Sequence, residues 1–443
     1  EALGPELLTD LVEFIELYIA ERTPVLTERD DFASLRGALS LVYREMLGGG
    51  GPGGLELPIP EDRFAGMSYE DALAAYESEA PAHILYENGA GLAEHPGFPL
   101  PAFTHRYEWD ELPNLDEDFD AEANSFHLRE DGALTPEAPE EGEAEFSTYT
   151  YDPDSGNRAP YSFGWDRPSN SSIWHLQPNY RWTQPPAEEH LSFVTDPLEE
   201  TEVTFGSASV DLWLRTDNPE QDTDLEVVIS EIRPDGQEMY VTTGWLRASK
   251  RELRDDSTAL RPRPTYREAD QEPLGEDWSL ARVETFPFGH AFREGSRIRL
   301  TVEAPNGNRP TWRFDQTVPG GPDVANHVAH SVEHASRLVM PFVDVEVDVT
   351  PDLPACEASE DGDGMTAVRG QPCRTAPDLD LDLFDLQTTF GMEPGVELAD
   401  RPNLSLEDDA PIQTHERRRD YSNWGFDVLG ELVAERADLS FAD

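Results

Sequence analysis

Lysine is almost missing from this chain. Lys250 is the single one, so the 33 basic residues set against 91 acidic ones are nearly all arginine, and the net charge is −58. No basic stripe or arm is present to lie along a phosphate backbone, which excludes nucleic acid as a partner on electrostatic grounds. The acid is spread over every segment rather than gathered in one tail. At molar salt the screening length falls to roughly 3 Å and the self-repulsion of such a surface becomes local. The charge is therefore read as salt adaptation, a specific cationic ligand being the other reading.

Long apolar runs are missing as well, so nothing here is expected to span a membrane as a helix. Only two cysteines occur, Cys356 and Cys373, on either side of a loop rich in Gly, Asp and Glu. One loop-closing disulfide, stabilising by on the order of 3 kcal/mol, would place the protein in an extracellular or cell-surface, high-salt setting. Two unrelated reduced thiols are the alternative. The sequence starts Glu1-Ala2 without Met or signal peptide, and the expectation is that an upstream segment was removed or left out. Apolar mass, by contrast, is sufficient for real cores: 37% hydrophobic residues, nine Trp and twenty Phe along 443 residues predict two or three packed units.

Hydrophobic periodicity predicts an amphipathic helix over Pro5 to Arg22, with Leu7, Leu11, Phe14, Ile15, Tyr18 and Ile19 as its apolar stripe. A second helix is predicted over Asp31 to Leu47, ended by Gly48 to Gly51, and a third over Ser68 to Ser78 with Ser68 as N-cap. From about residue 82 the pattern changes to short β-branched or alternating runs between turn signals. Strands are predicted at His83–Glu87, Phe146–Tyr151, Leu191–Thr195, Thr201–Phe205, Ser209–Thr216, Asp224–Arg233, Met239–Arg247, Ala281–Phe286, Arg297–Ala304 and Ser336–Val349. Pro234-Asp235-Gly236 reads as a turn, with Pro fixing φ and Gly accepting a positive one. The stretch Asp116 to Glu145 and everything from Asp378 onward read as loop-rich, the latter as an acidic arm. The expected fold is mainly β, a jelly-roll-like sandwich preceded by a few helices. The expected division is 1–81 helical, 82–350 sandwich, and 351–443 disulfide loop and acidic C-terminal arm.

Several motifs, in order, carry a family likeness: Thr195 to Leu198, Val210 to Trp213, Asp222 to Asp224, Pro234 to Gly236 and Gly244 to Ala248, then the segment Phe286 to Pro305. Together they resemble the C-terminal, galactose-binding-like sandwich of CocE/NonD hydrolases, the cocaine-esterase and X-prolyl dipeptidyl-peptidase type. His83 to Gly91, Ser336 to Val343 and Arg369 to Arg374 extend the likeness. The resemblance implies that the first helices belong to an incomplete α/β-hydrolase domain. It also implies that the catalytic Ser, Asp and His lie upstream of the sandwich, on an N-terminal hydrolase fragment. No G-x-S-x-G elbow occurs in the sequence. The expected function is the C-terminal part of a secreted esterase or X-Pro dipeptidyl-peptidase, with no catalytic residue and no cofactor of its own. The alternative is a non-catalytic protein that binds a glycan or self-assembles as a surface or filament subunit.

His327, His330 and His334 could ligate zinc on a helix. On a strand, their spacing puts His327 on the opposite face from the other two. His290, within the family-like segment, reads as a core or hydrogen-bonded histidine. Asp361 to Gly364 resembles part of a calcium loop but lacks the distal Glu, and reads as a solvated turn. Trp165, Trp174, Tyr180 and Trp182, set among Asn, Ser and Pro, could line a substrate cleft or stack sugars, or simply pack over the sandwich.

Overall fold

The computed structural model describes residues 5–25, 27, 62–79, 82–91, 101–109, 119–142, 144–152, 179–180, 185–305, 324–345, 347, 359–361, 365–367, 373–376 and 414–415. For residues 5–8, 82–91, 101–109, 179–180, 359–361, 365–367, 373, 375 and 414–415 this means the backbone only. The expected helix Asp31 to Leu47 and most of the C-terminal arm lie outside the described residues.

The N-terminal helix Pro5–Phe14 passes into a π-helical turn, Ile15–Ile19, closed by the Ala20 N–H donating to the Ile15 carbonyl at 2.9 Å. The wider winding moves the apolar stripe off its α-helical positions. Leu17 becomes fully buried beside Phe64 and Ala72, while Ile15 and Ile19, expected in the stripe, are exposed. Helix Tyr69–Glu77 packs on this turn, and its start obeys the sequence: Asp71 N–H donates to the Ser68 hydroxyl at 3.1 Å. Arg63 ties the unit together, donating to Glu13 at 2.6 Å and pairing with Glu79.

The remainder is mainly β: among the described residues it has three larger sheets and two two-stranded ones, Ser359–Asp361 with Met365–Ala367 and Thr414–His415 with Asn179–Tyr180. The first joins Phe342–Val343, Glu202–Gly206, Phe288–Phe292, Ala82–Gly91 and Pro101–Trp109, in that order. The second runs Cys373–Thr375, Gln237–Arg247, Asp224–Ile232, Arg297–Glu303, His190–Val194, antiparallel throughout. The third centres on Ser209–Thr216, flanked on one side by Ser279–Glu284. Its other side is shared by Val324–Ala329, which pairs with Trp213 to Thr216, and Arg337–Val339, which pairs with Ser209 to Asp211. Phe146–Tyr151 and the pair Ser125–Leu128 and Leu134–Thr135 extend it outward. Between the two half-length partners the chain bulges away, and the Ser336 hydroxyl accepts the Trp213 N–H at 2.9 Å.

The second and third sheets face each other across one core. Alternate residues point inward: Val210, Leu212 and Leu214 from one side, Leu225, Val227, Ile229, Ile298, Leu300 and Val302 from the other, with Phe288 and Phe292 entering from the first sheet. The predicted turn is present, with Gly236 at φ 78° and its N–H donating to the Arg233 carbonyl at 2.9 Å. Two expectations are corrected. Within the expected strand Ser336 to Val349 the described residues form two short strands in different sheets, Arg337–Val339 and Phe342–Val343, because Pro341 has no N–H with which to continue the ladder. The acidic stretch Asp116 to Glu145 also contains strands, folded back on each other around Gly132 at φ 80°.

Candidate functional site

Three charged knots hold the strands together, two within the second sheet and one, Glu231 with His290, between the second sheet and the first. In the first, Arg247 donates twice to Asp224, at 2.8 and 2.9 Å, while Asp222 accepts the Ser249 N–H at 2.8 Å. In the second, Glu231 accepts three hydrogen bonds from the strand Phe288–Phe292 and the turn after it: His290 Nε2 at 2.7 Å, the Arg293 N–H at 2.9 Å and the Ser296 hydroxyl at 2.6 Å. In the third, Glu238 accepts from Arg374 at 2.8 Å and from Ser230 at 2.6 Å, with Arg299 at 3.5 Å. Burial alone would raise the pKa values of Glu231 and Glu238. For Glu231 the hydrogen bond and charge of His290, with Ser296 and the Arg293 N–H, more than offset it; for Glu238 the charges of Arg374 and Arg299 do so. Both carboxyls therefore lie below the usual range and are ionised in the interior.

The outer face of the third sheet is different. Arg215 projects from Ser209–Thr216 and lies over the Trp278 ring at 3.9 Å and the Phe146 ring at 5.3 Å. Phe146 stands edge-on to His327 at 5.4 Å, and Trp213 to His334 at 4.8 Å. His327 contacts the Thr148 hydroxyl at 2.8 Å and Asp217 at 3.3 Å. The strand register explains this gathering, since His327 sits opposite both Arg215 and Thr148, and Ala329 opposite both Trp213 and Phe146. A separate open groove of about 830 Å³ runs along the edge strand Phe342–Val343, with Val203, Val345 and Val347 in its wall and Glu200, Glu202 and Asp344 beside them. Burial, with the Glu200 charge, raises the Glu202 pKa there.

A family profile described as the X-Pro dipeptidyl-peptidase C-terminal non-catalytic domain matches residues 107–339. The chain belongs to this family. Over 161 residues it is also 29% identical to proteins of Mycobacterium bovis and Mycobacterium tuberculosis named as serine esterases, a stretch covering 34% of this chain. That stretch spans about a quarter of the length of each of those relatives (24%). Among solved structures, an alpha-amino acid ester hydrolase has a TM-score of 0.39 at 20% identity, covering 54% of this chain and 39% of that one. An aminopeptidase from a marine-sediment Thaumarchaeota archaeon has 0.38 at 19%, with the same two coverages. A CocE/NonD family hydrolase from Staphylococcus aureus has 0.37 at 18%, again with those coverages.

The motifs of this X-Pro dipeptidyl-peptidase C-terminal domain coincide with the knots. Asp222 and Asp224 meet Arg247 and Ser249, and Glu231 meets His290 and Ser296. Gly244 is required by close approach, since a Cβ there would lie 2.1 Å from the Glu284 carbonyl oxygen. His290 is buried and bonded to Glu231, away from any solvent-reached chemistry. Of the three spaced histidines, His330 is the odd one out. It is buried against the Ser147 hydroxyl at 2.9 Å, while His334 returns to the outer face on the Ser331–His334 bend. The sequence expectation had isolated His327, but the strand ends at Ala329 and the alternation stops with it. Among the described residues no group of three or more His, Cys, Asp or Glu is placed to hold a metal. Trp165, Trp174 and Trp182, the Tyr180 side chain, Cys356 and the Cys373 thiol lie outside the described residues. Sequence reasoning missed the Arg215 cradle, whose members are far apart in the chain.

Proposed function

We propose that this chain is the accessory sandwich of a secreted, salt-adapted serine hydrolase acting on esters or X-Pro peptides. In this reading the Ser, Asp and His that form and break the acyl-enzyme are carried by an N-terminal hydrolase segment. The observation that carries it is the match of residues 107–339 to a domain described as non-catalytic. Two features agree. No G-x-S-x-G elbow occurs in the sequence, and the buried His290–Glu231 pair is committed to holding a turn. The sandwich then contributes a rigid wall rather than reacting groups.

The test is labelling by a fluorophosphonate serine probe of this chain alone and of the chain produced together with the coding sequence upstream of Glu1. Labelling restricted to the upstream segment, and stronger when this chain is present, supports the reading. A labelled serine within residues 1–443, or no labelling of the assembled protein, overturns it. Salt adaptation is tested by circular dichroism: β-structure held at molar salt should be lost at tens of millimolar, where the −58 charge is no longer screened.

A further inference from the structure

We propose that the outer face of the third sheet, centred on Arg215 between Trp278 and Phe146, binds carboxylate-bearing sugar rings such as the hexuronate units of an acidic polysaccharide. The argument begins with charge. In a chain with 91 acidic residues a carboxylate partner is within easy reach of almost any arginine, and Arg247, Arg299, Arg337 and Arg374 each have one. The Arg215 guanidinium has none among the described residues, and its Nε is buried without a hydrogen-bond acceptor. It is held by two aromatic faces instead. Asp217, two residues on along the strand, bonds His327 rather than Arg215. A guanidinium fixed this way keeps its planar fork of donors for an incoming carboxylate.

The surroundings select the rest of the ligand. Phe146 is 38% exposed and Trp213 and Trp278 are partly exposed, which gives ring faces for the apolar side of a pyranose. Between them lie the Thr148 hydroxyl, the His327 and His334 imidazoles and the Asp217 carboxylate, groups that donate to and accept from sugar hydroxyls. Rings to stack, hydroxyl partners and one unneutralised cation together match a hydroxylated ring carrying a carboxylate. The site lies wholly on this chain, so the proposal stands or falls apart from the hydrolase reading.

The test is a calorimetric titration of the whole chain with trigalacturonate and, in parallel, with maltotriose, at the lowest salt that preserves the native dichroism spectrum. Saturable binding of trigalacturonate is expected, weakened about ten-fold or more in Arg215→Gln, as loss of a charge-assisted hydrogen bond would give. Maltotriose should bind more weakly and be indifferent to that substitution. Trp278→Ala should weaken both ligands. If that variant unfolds, Arg215→Gln with unchanged dichroism decides alone. Trigalacturonate binding no tighter than maltotriose, binding unaltered in Arg215→Gln, or burial of this face in a dimer that Trp278→Ala dissociates would each overturn the proposal.

Discussion

Arg374 and Arg215 are both strand arginines of one sandwich, and they have opposite fates. Arg374 is buried against Glu238, with Arg299 on the far side, and its charge is consumed in fixing strand to strand. Arg215 faces outward on two aromatic rings and neutralises nothing among the described residues. The first kind of arginine holds the fold together, because a buried carboxylate without its partner is costly. The second adds little to folding and is therefore available for binding. In a protein this acidic, an arginine held by aromatic rings and not by a carboxylate is an informative one.

The largest expected effect comes from breaking the buried side of that contrast. Glu238→Gln removes the buried anion that Arg299 and Arg374 share and should cost about 3–5 kcal/mol in urea unfolding at constant molar salt. Replacing Glu238, Arg299 and Arg374 together by apolar residues of similar volume should recover most of that loss, which separates the penalty of an unpaired charge from the worth of the knot. Next comes Gly244→Ala, where the added methyl meets the Glu284 carbonyl and the strands must part; a loss of roughly 1–3 kcal/mol is expected in the same assay. Acidification should then weaken the fold in a defined window. The folded-state pKa values of Glu231 and Glu238 are depressed, so their contribution is present above the ordinary value of 4.5 and is lost as pH falls from there through the folded values. The urea midpoint should drop over that range, and less steeply in Glu238→Gln. The smallest effect is on the outer face, where Arg215→Gln should change stability by no more than about 1 kcal/mol. A larger loss would erase the contrast drawn here.

Local chemistry was legible in the sequence. Ser68 followed by Asp71 announced a helix start, Pro234-Asp235-Gly236 announced a turn, and Phe146–Tyr151 and Ser209–Thr216 have the predicted bounds. What failed depends on the rest of the molecule. The π turn at Ile15 replaces one apolar stripe by another only because Leu17 has Phe64 and Ala72 to meet. The switch of sheets at Pro341 needs two sheets to exist before it can be seen. The candidate site was hidden for a related reason. Aromatics crowded between Tyr161 and Trp182 draw attention because they are neighbours in sequence. Phe146, Arg215, Trp278 and His334 become neighbours only through strand register. The pairing of motif residues into knots was likewise unreadable, since Glu231 carries no motif of its own and is defined by the segment it accepts from.

The strand Cys373–Thr375 lies some thirty residues beyond the end of the matched family segment, yet Arg374 supplies the positive charge that Glu238 requires. One ion pair that holds the second sheet thus reaches beyond the matched segment. A protease that cut after residue 339 and let the downstream piece diffuse away would leave Glu238 without Arg374, so its pKa would rise and the remaining sandwich would be weakened most at neutral and higher pH and relieved by acid. Arg374 is in that sense the counter-ion of the fold, supplied from beyond the matched segment.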